Sequence, residues 1–334
     1  MSLLVHRRSR RVGGGVMLFR AALAFFLLSQ ACLAQAFNEL NPAASGYTLV
    51  LNEGWTDSSG GTIDWNNTLQ PGFNWYLSRP YGWPATLQSE LSLCATCRNG
   101  GGSLTINPVI NKGGWNIATA AVTPDGGIVG QTWGPGRGWY FEAGFMFNDA
   151  LARVHGSPGI WMEPIEHMTG RDQWEGQPAG YEHFSEIDIF EYNTFGFLGN
   201  GSFGSYRHDW YGTASPYKDA GYLGYMAIVP IPTPVWLNTW HKISALYTPG
   251  CDNGACAGSI QVWFDNVPYQ YTNGLGSTVP FTWIGNGNGA PPIAAGPHNR
   301  AAFSQIDHDR YAIVLGTSVG DPLQIGYIKM WVPP

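Results

Sequence analysis

Charge is scarce in this sequence. Only 12% of its 334 residues are Asp, Glu, Lys or Arg, against roughly a quarter in ordinary domains. Lys and Arg together number 17 against 23 acidic residues. Five of the basic residues, Arg7, Arg8, Arg10, Arg11 and Arg20, lie in the first 36 positions, which hold no Lys and no acid. Without that segment 17 − 5 = 12 basic residues face 23 acidic ones, and the formal charge moves from −6 to −11. Such a surface disfavours nucleic acid and anionic membranes, and argues against a heavily sulfated or uronic polymer as substrate. Long hydrophobic runs are missing as well: the apolar run Ala21 to Leu28 is too short to cross a bilayer. There are no heptads, no repeat of fixed period and no low-complexity linker. "HExxH", a phosphate loop and a Ser-His-Asp order are absent, which removes the usual signatures of zinc peptidases, nucleotide enzymes and triad hydrolases.

What is present points elsewhere. The basic leader, its apolar run and the small residues after it read as a cleaved secretory signal over residues 1–36, with cleavage after Ala34 or Ala36. That implies a secreted or periplasmic protein with no membrane contact after cleavage. Residues 37–334 then form a single domain. Gly (45), Pro (23) and Trp (15) are abundant and aromatics reach 14%, a composition of turn formers and rings that suits an all-β exported protein. Four cysteines remain after the leader. Two local bridges, Cys94–Cys97 and Cys251–Cys256, are the simplest pairing in an oxidising compartment; a four-thiolate zinc site is the competing reading.

Short strand candidates recur between turn signals: residues 47–55, 102–110, 139–147, 159–164, 185–192, 241–248, 259–266, 311–318 and 323–331. No long amphipathic helical pattern competes with them. The expected fold is all-β, a two-sheet antiparallel sandwich of the jelly-roll type.

One candidate strand breaks the rules for strands. "SEIDIFEY" carries Glu186, Asp188 and Glu191 among Ile187, Ile189 and Phe190. Side chains on one strand face repeat every second residue, so Glu186 and Asp188 share a face and Ile187 and Ile189 the other. Glu191 has the wrong parity and would enter the core, where an unpartnered carboxylate is costly. A β-bulge near Ile189–Phe190 removes the conflict, because one extra residue returns Glu191 to the face of the other two acids.

Three carboxylates this close cannot all ionise freely. One held protonated and one held anionic is the pair that glycoside hydrolysis uses, one acid for the leaving oxygen and one carboxylate to attack or to guide water. Neighbouring positions on a bulged strand suit the short separation, about 5–5.5 Å, of retaining enzymes. A merely solvated acidic face would ordinarily be interleaved with Lys or Arg, and none lies between Arg171 and Arg207. A calcium site would ordinarily draw on loop carbonyls as well.

"EIDIFE" resembles the Glu-x-Asp-x-x-Glu strand of glycoside hydrolase family 16, in the bulged subtype of laminarinases and several galactanases. "LVLNEGWTD", "GWYFEAGFMF", "GIWMEP", "NTWHKISALYTP", "IQVWFDNVPY" and "LQIGYIKMW" are similar to other strands of that family. The resemblance implies a jelly roll with an open cleft and a retaining endo-β-glycan hydrolase acting on β-1,3- or mixed-linkage glucan. A galactan hydrolase, or a glycan-binding module without catalysis, is the alternative. Glu186 would be the nucleophile, Glu191 the acid/base, and Asp188 the residue between them that hydrogen-bonds the nucleophile. The sequence departs from the family at Ser185 and Gly144, and at Gly326, where the family often carries an Asp that helps hold a structural calcium. No cofactor is therefore expected. The partner is a polysaccharide and the chain a monomer. Trp139, Trp161, His208 and Trp210 are the candidates for sugar contact, from proximity to the acidic strand or from resemblance. Trp263 reads as core and His241 as a structural histidine.

Overall fold

The computed structural model describes residues 39–57, 61–77, 86–98, 100–107, 116–134, 137–147, 158–165, 183–192, 202–211, 222–230, 239–248, 259–272, 278–280, 282–284, 310–317 and 322–334. For 183–185, 202–211, 222–230, 270–272, 278–280 and 282–284 it describes the backbone alone. The leader expected over 1–36 and the pair Cys251–Cys256 lie outside the described residues. Glu39 to Pro334 form one compact unit.

Two large sheets make up this unit. One is eight-stranded, in the order Tyr222–Pro230, Ser202–Tyr211, His183–Tyr192, Gly159–Pro164, Tyr311–Gly316, Asn116–Ala118, Trp75–Tyr76 and Ile63–Asp64. Its pairs are antiparallel except the last, which is parallel. The other is nine-stranded, with Trp139–Phe147 at its middle between His241–Thr248 and Leu323–Val332. The sandwich expected from the strand pattern is thus present. Among the described residues no helix is long and apolar enough to cross a membrane.

Alternation decides what lies between the sheets. Trp139, Phe141, Ala143, Phe145 and Phe147 point inward from the nine-stranded sheet, and Ile187, Ile189, Phe190 and Tyr192 meet them from the eight-stranded one. The rings of Phe145 and Phe190 lie 4.5 Å apart, and those of Phe147 and Tyr192 5.0 Å, spacings at which aromatic pairs add attraction beyond their buried area. Trp263 is also buried, but its parity sets it on the face opposite Ile260, Val262 and Phe264, where it pairs with Ser244 and Pro268. His241 is buried too; its Nδ1 lies 2.7 Å from an Asp265 carboxylate oxygen and its Nε2 3.0 Å from the Thr239 hydroxyl, a structural arrangement.

The outer face of the nine-stranded sheet is polar. Glu39 lies across it and accepts hydrogen bonds from the Tyr140 hydroxyl (2.7 Å), Lys242 Nζ (2.7 Å) and the Ser244 hydroxyl (2.6 Å). This ties the start of the described chain to two strands. The disulfide Cys94–Cys97 is formed, within the strand Leu91–Arg98.

Candidate active site

The carboxylate strand, His183–Tyr192, carries the bulge that its sequence demands. Against the following strand, Asp188 pairs with Tyr206 and Glu191 with Gly204, so three steps on one strand answer two on the other. Against the preceding strand, Trp161 pairs with Asp188 and Ile160 with Phe190, leaving Ile189 as the extra residue. Ile189 and Phe190, consecutive in sequence, are both fully buried in the core; regular alternation would forbid this. Glu186, Asp188 and Glu191 share the opposite face, with Glu186 and Glu191 partly exposed. The hydroxyl of the buried Tyr269 donates to the carbonyl of Ile189 at 3.4 Å, so an acceptor displaced from the regular ladder finds a donor.

Asp188 differs from its two neighbours. It is 4% exposed, and burial pushes its carboxyl up to about 7, with a hydrogen bond to Glu186 pulling part of the way back. Removing a carboxylate from water disfavours its charged form. Near neutral pH the Asp188–Glu186 pair therefore shares a proton, and it titrates as a pair. A hydrogen bond that lowers Asp188 is one its carboxylate accepts from Glu186, so the proton belongs to the pair and not to Asp188 alone. Each carboxyl thereby fixes the orientation of the other.

The aromatic candidates separate. Trp161 pairs in register with Asp188 and is partly exposed on the same face. Trp139 does not belong to the site: it is fully buried, with its ring centroid 5.5 Å from that of Tyr247. Its position on a strand whose odd-numbered residues are all apolar sends it between the sheets, which corrects the expectation that it meets sugar. His208 pairs with Glu186 and Trp210 with Phe184, so register brings both positions beside the acids; their side chains lie outside the described residues.

Sequence reasoning passed over Glu163. It is 1% exposed and accepts the indole N–H of Trp161 at 3.1 Å. Ile160 and Met162 turn into the core, so Trp161 and Glu163 lie together on the face of the acids. The signal was in "GIWMEP", where Glu163 stands two residues after Trp161.

Two of the positions that differ from the resembling motifs, Gly144 and Gly326, are closely packed. A side chain on Gly144 would run into the ring of Tyr327, and one on Gly326 would lie 2.7 Å from Arg98 Cδ and 2.9 Å from its Nε. The Arg98 guanidinium lies 5.1 Å from the Tyr327 ring centroid. A cation thus fills the space into which a metal-binding carboxylate would project, and these residues do not suit calcium.

No protein-family model and no curated protein matches the sequence. Solved structures with a similar chain path include an endo-1,3-β-glucanase from Streptomyces sioyaensis, at 17% identity and TM-score 0.46, over 86% of this chain and 97% of that one. LamA from Z. galactanivorans, in complex with laminaritriose and laminaritetraose, matches at 14% identity and TM-score 0.41, over 85% and 98%. An endo-β-1,4-glucuronan lyase from Trichoderma reesei matches at 10% identity and TM-score 0.40, over 78% and 95%. Matches this distant decide nothing about chemistry, which has to be argued from the carboxylate strand.

Proposed function

We propose that this chain is a secreted endo-acting β-glycan hydrolase that works with retention, on β-1,3- or mixed-linkage glucan. The observation that carries the reading is the bulge of the carboxylate strand. It aligns three carboxylates on one face of an otherwise apolar strand, the middle one buried and hydrogen-bonded to Glu186. Binding alone needs no such crowding of acids.

In the proposed reaction a Glu186 oxygen attacks the anomeric carbon while Glu191 delivers its proton to the glycosidic oxygen. The bond to the leaving sugar breaks and a glycosyl ester on Glu186 forms. Glu191, now a carboxylate, takes a proton from water, and the hydroxide equivalent displaces Glu186 from the anomeric carbon. Both groups return to their starting state, and two inversions give net retention. Asp188, raised by burial and hydrogen-bonded to Glu186, holds the Glu186 carboxyl in line for attack. The choice of glucan comes from the resemblance of the strand motif to laminarinases.

The test is release of reducing ends from laminarin, mixed-linkage glucan, agarose and carrageenan by the mature chain, beside Glu186→Gln and Glu191→Gln. Release that each substitution abolishes, with folding intact, is the expected result. Wild-type turnover by either variant sinks the assignment. An ultraviolet-absorbing unsaturated product would make the protein a lyase. Glycan binding without new ends would make it a binding module.

A further inference from the structure

Glu163 has no part in the double displacement, yet a buried carboxylate stands at the floor of the site. Such a group is costly to keep out of water unless a specific partner needs it. One partner is the Trp161 indole N–H, at 3.1 Å. The six-membered end of the same ring is accommodated in another way. Gly159 and Gly316 pair across neighbouring strands. A Cβ on Gly159 would lie 3.5 Å from Trp161 Cε3, and one on Gly316 would lie 3.0 Å from Trp161 Cη2 and overlap the Asn116 amide. Thus one end of the indole is tethered by a hydrogen bond to a buried carboxyl group. The other end rests beside two positions that hold no side chain.

The ring's place gives this tether its meaning. Trp161 pairs with Asp188, and Gly159 with Glu191. A partly exposed tryptophan on a sheet face would otherwise be able to swing about its two side-chain torsions. We propose that Glu163 is a positioning residue: by accepting the Trp161 N–H it holds the indole as a fixed wall beside Asp188 and Glu191, against which a sugar ring is oriented. The sugar contact rests on the hydrolase reading above, whereas the fixation of the ring does not.

Three variants test it. Glu163→Met removes the acceptor at similar volume, Glu163→Gln keeps an acceptor without charge, and Trp161→Phe removes the indole. The Trp161 contribution to the near-ultraviolet circular dichroism, taken as wild type minus Trp161→Phe, reads the fixation without any substrate. Glu163→Gln should keep that contribution and hold KM within about twofold. Glu163→Met should lose it and raise KM on the order of tenfold, the loss of one buried hydrogen bond, with kcat nearly unchanged. Combined with Trp161→Phe, Glu163→Met should add nothing further to KM, since both act through one ring. An unchanged spectrum and KM in Glu163→Met overturns the proposal. So does a KM rise in Glu163→Gln equal to that in Glu163→Met, which would assign the role to charge. If Glu163→Met does not fold, loss of the contribution in folded Glu163→Gln overturns it and its retention supports it. Failure of the hydrolase reading looks different: the wild type turns over no polymer, and the spectra alone then decide about Glu163.

Discussion

Asp188→Asn should remove the pH dependence of stability that the buried carboxyl imposes. In the folded chain Asp188 titrates at about 7, and the ordinary aspartate value is 3.8. A group whose folded value is raised contributes stability that is fully present below the unfolded value and is lost as pH climbs through the folded one. The window here runs from about pH 4 to about pH 7. The difference, 7 − 3.8 = 3.2, at about 1.36 kcal/mol each, makes about 4 kcal/mol an upper limit. Coupling to Glu186 shares the proton between two sites and lowers the amount, so about 2–4 kcal/mol is expected. Asparagine has the shape of the acid, and its amide can donate to or accept from Glu186. Urea unfolding of both proteins at pH 4, 5, 6, 7 and 8 reads the effect. At pH 4 the two should be close. By pH 8 Asp188→Asn should be the more stable by about 2–4 kcal/mol. Curves that stay parallel within about 0.5 kcal/mol across the range would refute the reasoning, because they would mean that burial does not raise this carboxyl.

Other perturbations probe the frame around the site. Phe190→Ala empties a position packed against Phe145 at 4.5 Å and Phe147 at 5.9 Å, and should cost about 3–5 kcal/mol by urea unfolding. Tyr269→Phe removes the hydroxyl that reaches the Ile189 carbonyl; a loss of about 1 kcal/mol is expected, with faster amide exchange confined to residues 188–191 in hydrogen-exchange mass spectrometry. Burial pushes the Glu39 carboxyl up, but hydrogen bonds from Lys242, Ser244 and Tyr140 outweigh it, so the group stands below its ordinary 4.5. A lowered carboxyl contributes stability above its unfolded value and loses it as pH falls through the folded one. Glu39→Gln should therefore cost about 1–2 kcal/mol at pH 7 and much less at pH 3, read from urea midpoints.

Much of this was legible from residues alone where one face of a strand is apolar. Trp139–Phe147, Gly159–Pro164 and His241–Thr248 have the bounds that their alternation implies. The bulge was legible for the same reason: a carboxylate at the wrong parity is more costly than an irregular ladder. The strands Ser202–Tyr211 and Tyr222–Pro230 were missed, because "SFGSYRHDWY" mixes glycine and polar residues without clean alternation and "YLGYMAIVP" is a nearly continuous apolar run with no period of two. What stabilises them is cross-strand pairing with each other and with His183–Tyr192, which local propensity does not report. Trp139 was misplaced by judging it from its nearness to the acidic strand. Its own strand already assigned it, since Trp139 shares parity with Phe141, Phe145 and Phe147. Glu163 escaped because its meaning depends on pairing: only the match of Trp161 with Asp188 shows that it lies on the face of the acids.

The central claim is that Glu186 and Glu191 act as nucleophile and acid/base across the bulge. Following the first-formed product by proton NMR, on the polymer that releases reducing ends, tests this most directly. The account predicts that the β-anomer of the new reducing end appears first and mutarotates later. Initial release of the α-anomer would mean a single displacement by water, and would contradict it.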